Sequence, residues 1–278
     1  MKESIILILK GFIMGIANII PGISGGTLAI TLGIYEKLIN TISHFTKNIK
    51  ENIKFILLLG IGMVISIGLF SNIIGYCLDK FPFATILFFI GFILGGMPIL
   101  FKKVKGKLNI SNAVVFLITF GIVIAMTFAK TGNNIVSLEV LNIGKIIALF
   151  LCGLIAAATM VLPGISGSFV LMLFGYYKPI VDTISELTKL NNLLHNLIIL
   201  TSMGVGILFG VVLAAKGIEW LLKKYEIKTY YGIIGFVIAS IISIFITAVS
   251  DTVLIGEIIV GIVLLVVGIF LSKMISVK

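Results

Sequence analysis

Arginine is missing altogether: every one of the 21 basic residues is lysine. A bidentate guanidinium grip on phosphate or carboxylate is therefore excluded throughout the chain. Cysteine is almost absent. Cys77 and Cys152 lie in or beside apolar stretches, which argues against a disulfide framework, a cysteine metal site and redox chemistry. The two histidines, His44 and His195, stand apart in what read as solvated connectors, so a two-histidine metal site is not expected. Without arginine or paired histidines, the usual phosphoryl-transfer constellation cannot be assembled. No catalytic residue, metal or cofactor is expected. Charge is also scarce, at 12% of residues.

What remains is apolar. Of 278 residues, 59% are hydrophobic, and the mean hydropathy is +1.26. Runs such as Ile86–Phe101, Val114–Ala129 and Ile258–Leu271 approach the roughly 20 apolar residues that a bilayer-crossing helix needs. Helices are the expected form, because lipid offers the backbone no partners and nothing here alternates like barrel strands. The expectation is thus an all-α polytopic membrane protein. The segment MKESIILILK runs straight into Gly11 with no cleavage region, and reads as the first membrane segment and not a removed leader. The net charge of +10 does not indicate nucleic acid, since the lysines are spread over connectors between apolar helices.

The hexapeptide PGISGG at Pro21 recurs as PGISGS at Pro163, and the offset from Ser24 to Ser166 lays Gly11–Ser43 over Gly153–Ser185. Gly33 then matches Gly175, and Tyr35 matches Tyr177. One membrane domain, 1–278, is read as two repeats, 1–135 and 143–278. Each repeat is expected to hold two short helices around the break and three longer ones. They fall at 4–20, 24–40, 53–78, 82–101 and 111–130, then at 143–162, 166–183, 193–216, 229–249 and 252–272. Counted either as a re-entrant hairpin or as two crossings, the short pair leaves each repeat with an odd number of crossings, so the second is inverted. With both termini in the cytoplasm, sixteen lysines fall inside and five outside, the positive-inside bias of a plasma-membrane protein. The eleven residues from Ser24 to Tyr35, roughly 17 Å as helix, favour a hairpin dipping to the midplane; the second copy leaves hairpin and full crossing both open.

Proline and glycine at such a break leave helix-end amides and carbonyls unpaired at membrane depth, tolerable only inside protein or against a wet cavity. Ser24 and Ser166 are good N-caps, and the helix starts that follow them present amides and hydroxyls. Such a start attracts anions, and paired broken segments at matching positions point to a transporter's binding site. The candidate substrate-binding residues are Ser24, Gly25, Gly26 and Thr27 with Ser166, Gly167 and Ser168; Asn18, just before the first break, adds a donor. Glu257, an acid in the last apolar segment, is a candidate for coupling or else a solvated group near the outer surface. Packing kinks, in which small residues let helices approach, are the competing reading of the motifs. Glu36 is expected at the interface beside a lysine, and Trp220, Tyr225, Tyr230 and Tyr231 form an aromatic belt near Lys223, Lys224 and Lys228.

The doubled PGISGGT and PGISGS motif, in an inverted-repeat membrane protein of this length, resembles the polyprenyl-phosphate transporter family PopT, a former domain of unknown function. The likeness covers nearly the whole chain. It implies a translocase returning undecaprenyl phosphate, a lipid carrier, from the outer to the cytoplasmic leaflet, with the lipid phosphate as ligand and the bilayer as surroundings. Recognition would then rest on backbone amides and hydroxyls. A transporter or channel for a small soluble anion is the alternative. Direction of net transport, lipid chain length, coupling ion and oligomeric state are left open.

Overall fold

The computed structural model describes residues 2–20, 23–129, 135–188, 192–249 and 255–276. Among the described residues there are twelve helices and no strands: α1 (Lys2–Asn18), α2 (Gly25–Thr31), α3 (Tyr35–Ser43), α4 (Ile49–Lys80), α5 (Pro82–Val104), α6 (Ile110–Phe128), α7 (Ile143–Val161), α8 (Gly167–Leu173), α9 (Tyr177–Thr188), α10 (Leu193–Lys224), α11 (Glu226–Ala248) and α12 (Ile255–Ser276). The all-helical, polytopic architecture read from composition is the one found. Seven helices, α4 to α7 and α10 to α12, are long and apolar enough to cross a membrane.

Local chemistry fixes the helix ends. Asn109 and Asn142 cap α6 and α7, each accepting from an amide three residues on, Asn112 and Lys145, at 2.8 Å. Pro82 opens α5, where the missing amide hydrogen costs nothing. The expected helices at 24–40 and 166–183 are each two helices. Gly33 and Gly175 adopt φ of 68° and 75°, a left-handed conformation that ends α2 and α8 after seven residues each. At roughly 1.5 Å per residue those helices are about 10 Å long, so neither α2 nor α8 crosses the bilayer alone. The 17 Å of continuous helix expected after Ser24 is corrected accordingly.

α4 and α10 correct the expectation the other way. Each has 32 residues, about 48 Å, against the shorter 53–78 and 193–216 expected. Lys223 and Lys224 therefore ride on α10 and not on a connector. One end of the bundle gathers Val104–Lys107, the end of α10 and the start of α11, and is rich in lysine; the other gathers Lys80–Pro82, Phe128 and Asn142.

The main helix pairs are α5 with α12, α7 with α10, α1 with α4 and α6 with α11. Glycine sets their spacing. A Cβ on Gly91 of α5 would lie 2.1 Å from the Leu265 carbonyl oxygen, and one on Gly206 of α10 would lie 2.1 Å from that of Phe150. Such contact is the means by which helices associate where lipid removes the hydrophobic drive. α5 is the most enclosed crossing helix, whereas α12 presents Val263, Val266 and Phe270 outward, as a lipid-facing helix does. The core runs through α5, α2 and α11, with Leu28, Ile93 and Val237 almost wholly buried.

Candidate functional site

The end of α7 has an accounting problem: Val161 is its last helical residue, so its final carbonyls have no amides one turn on. Their partners come from the first half of the chain. The Tyr35 hydroxyl donates to the Val161 carbonyl at 3.1 Å, and Ser24 Oγ donates to the Leu162 carbonyl at 3.3 Å. In return the Gly164 amide donates to Thr27 Oγ1 at 2.8 Å. A side chain at Gly26 has little room, since a Cβ there would stand 3.1 Å from the Val161 carbonyl oxygen and 3.2 Å from Pro163 Cα. The structure thus brings Ser24, Gly26 and Thr27 directly against Leu162–Gly164. Pro21 and Gly22 of the first motif lie outside the described residues.

The two helix starts differ in state. Ser24 caps α2 by accepting from the Gly26 amide at 3.2 Å, and Gly26 to Thr31 are all buried. Asn18 ends α1 with its amide oxygen 3.5 Å from where a Cβ on Gly25 would stand, so it sits beside the helix start. Lys10, 9% exposed, donates to the Leu32 carbonyl at 2.8 Å and neutralises the far end of α2. Ser166 makes no such cap; its hydroxyl turns to the exposed Ser168 hydroxyl at 2.8 Å. Gly167 is buried behind them, where a Cβ would meet Met160 Cγ at 2.5 Å.

Ser166 and Ser168 line a cavity of about 130 Å³ between α6, α8 and α11. Thr127 and Ser243 complete its polar lining, with Thr127 Oγ1 donating to Ser243 Oγ at 2.8 Å. At about 30 Å³ per water the space holds about four waters, or a group of four or five heavy atoms. The sequence reading missed Thr127 and Ser243. Their signal was a lone hydroxyl within an apolar run, AMTFA in one helix and IISIF in the other. A second cavity, about 240 Å³ and almost wholly apolar, lies along the same α6–α11 face on the lysine-rich side of Pro163.

At the lysine-rich end α3 is tied down. Glu36 pairs with Lys103 at 3.0 Å and accepts from the Tyr230 hydroxyl; Lys103 also lies 3.9 Å from Glu226. These contacts, with the Tyr230 hydrogen bond foremost and Lys103 assisting, hold the Glu36 carboxyl below its ordinary range despite opposing desolvation. His44 of the α3 C-cap lies 3.4 Å from Glu219 of α10. His44 does lie in the connector between α3 and α4, whereas His195 is not a connector residue: it is in α10, with its Nε2 2.8 Å from the Leu138 carbonyl. Tyr230 is 4% exposed and belongs to this ionic cluster, not to the surface belt expected of it; Trp220 and Tyr225 remain exposed. Glu257 falls in the first turn of α12, half-buried, with one carboxylate oxygen enclosed and lacking a hydrogen-bond partner; it lines neither cavity above.

Residues 14–258 match the family model VCA0040-like, described as undecaprenyl phosphate translocase-like. A polyprenyl-phosphate transporter of Staphylococcus aureus is 35% identical over 242 residues, covering 86% of this chain and 85% of that protein. One of Vibrio cholerae is 30% identical over 247 residues, covering 84% and 75%. No solved structure matches.

Proposed function

The chain belongs to the undecaprenyl phosphate translocase-like family, and from that premise we propose that it carries a polyprenyl phosphate such as undecaprenyl phosphate between leaflets, returning the carrier to the cytoplasmic side of the plasma membrane for reuse. The lysine-rich end and both chain termini face the cytoplasm. No bond is made or broken. The phosphate must cross the apolar core while the tail can stay in lipid, so the protein has only to shelter the headgroup.

The observation that carries this reading is the cavity where the Ser166 and Ser168 hydroxyls meet those of Thr127 and Ser243, against the interlocked breaks. Hydroxyls and helix-start amides replace the headgroup's lost water without a fixed cation. Ser166, Gly167 and Ser168 bind the phosphate when it arrives from the outer leaflet. Ser24, Gly25, Gly26 and Thr27, with Asn18 beside them, bind it on the cytoplasmic side once α2 leaves its present partners. Two inverted repeats, 1–135 and 143–278, each with a re-entrant α1–α2 or α7–α8 hairpin, supply the two exposures. Burial of α2 and exposure of Ser168 support assigning the present conformation to the outward-facing state. Glu257, an enclosed acid at the outer start of α12, is the coupling group.

The test is leaflet reversal of a fluorescent polyprenyl phosphate in reconstituted vesicles. Wild type moves the lipid; Ser24→Leu and Ser166→Leu, folded by size-exclusion and melting criteria, do not. Flux of a small soluble anion with no lipid movement would replace this reading with that of an anion transporter.

A further inference from the structure

The apolar cavity below Pro163 opens at its far end onto charge. Tyr225 and Lys228 line both it and a polar cleft of about 550 Å³ that adds Lys107, Lys224, Asn112 and one acid, Glu226, which lies 3.9 Å from Lys103. The ammonium groups of Lys224 and Lys228 lie 5.4 and 5.8 Å from the centroid of the same Tyr225 ring. Like charges so placed repel, and among the described residues neither has a carboxylate within ion-pair distance, although neighbouring Lys223 and Lys103 are paired with Glu219 and Glu36. Topology explains why lysines gather at this end, but not why two unpaired ones share a ring at the mouth of an apolar groove.

We infer that this is a second phosphate station, separate from the hydroxyl-lined cavity. It holds a polyprenyl phosphate in the cytoplasmic leaflet with its headgroup among Lys224, Lys228 and Lys107 and its first isoprene units in the groove between α6, α10 and α11. The inference rests on the translocase reading for its ligand and sidedness. The groove fits the tail of such a lipid: Val115, Gly232 and Ile233 give it apolar walls, while Leu221 and Tyr225, both exposed, leave its flank open. It ends at Pro163 and Phe236, where Gly164 sits so close to the Phe236 carbonyl oxygen that a Cβ would stand 2.4 Å away. The break therefore forms a partition between two chambers on one face of the α6–α11 pair, hydroxyls on one side and an apolar slot ending in lysines on the other. A soluble anion has no use for the slot, and an uncharged lipid none for the lysines.

The probe is a diazirine-bearing polyprenyl phosphate added to the full chain in phosphatidylcholine nanodiscs. Crosslinks are mapped by peptide mass spectrometry and affinity is read by titration. Wild type crosslinks at the groove walls of α6 and α11. Lys224→Gln with Lys228→Gln, both at exposed positions, weakens binding at least tenfold, and Val115→Trp removes the groove crosslinks by filling the slot. If wild type translocates the lipid while these variants keep groove labelling and affinity within twofold, the station is refuted and the translocase reading stands. If labelling falls as expected but wild type moves no lipid phosphate, the station stands and the translocase reading fails. Displacement of the probe by an equimolar amount of phosphatidylglycerol reveals a general anionic-lipid surface and overturns the inference.

Discussion

The Thr27 hydroxyl accepts the Gly164 amide at 2.8 Å, across 137 residues of sequence, in a buried setting. Thr27→Val keeps the shape and removes the acceptor, leaving a buried amide unsatisfied at a cost of about 1–3 kcal/mol. A lowered melting temperature in detergent is expected for Thr27→Val, with Thr27→Ser near wild type. Equal losses for both would mean that the methyl packing matters and the hydrogen bond does not.

Helix spacing gives a second prediction. Gly91→Ala forces a Cβ to within 2.1 Å of the Leu265 carbonyl oxygen and must push α5 and α12 apart, whereas Gly121 and Gly204 have nothing within 4 Å. Gly91→Ala lowers the yield of folded protein. Gly121→Ala and Gly204→Ala are neutral or gain up to about 1 kcal/mol from helix propensity. The melting temperatures of the three purified variants check this.

Accessibility separates the two motifs. In a background with Cys77 and Cys152 replaced by alanine, Ser168→Cys reacts with a water-soluble maleimide and Ser24→Cys, 4% exposed in the wild type, does not. The ratio of the two labelling rates is the readout. Equal rates would show that neither helix start is held closed.

The Glu36 cluster sets a pH signature. Its folded carboxyl is held below the ordinary 4.5, so its stabilising contribution is complete above that value and disappears only as pH falls through the depressed one. The difference in melting temperature between wild type and Glu36→Gln is therefore flat from pH 8 to 5 and shrinks in more acidic buffer. A difference that changed between pH 6 and 8 would show that Glu36 is not the group responsible.

Much of this was legible from residues alone. The helical membrane class follows from apolar runs, and the contact between the two motifs follows from a repeated break whose orphaned groups need partners. The division of α2 from α3 was missed although Gly33 and Gly175 had been matched, because a lone glycine in an apolar run reads equally as packing or as a turn until its φ is known. Tyr230 was read as a belt residue because aromatic rings beside lysines look alike in sequence, whether they face lipid or a carboxylate 194 positions away. Thr127 and Ser243 carry no motif, and only the pairing of α6 with α11 makes them neighbours.

The hydrogen bonds from Ser24 and Tyr35 to α7, and the one returned to Thr27, also bear on how the molecule moves. The Ser24 and Thr27 bonds both sit on α2 and its cap, so sliding α2 away breaks those two together, while the Tyr35 bond belongs to α3. Partial displacement leaves buried groups stranded and gains nothing. A slow gradual widening of this seam is therefore the path the bonding disfavours.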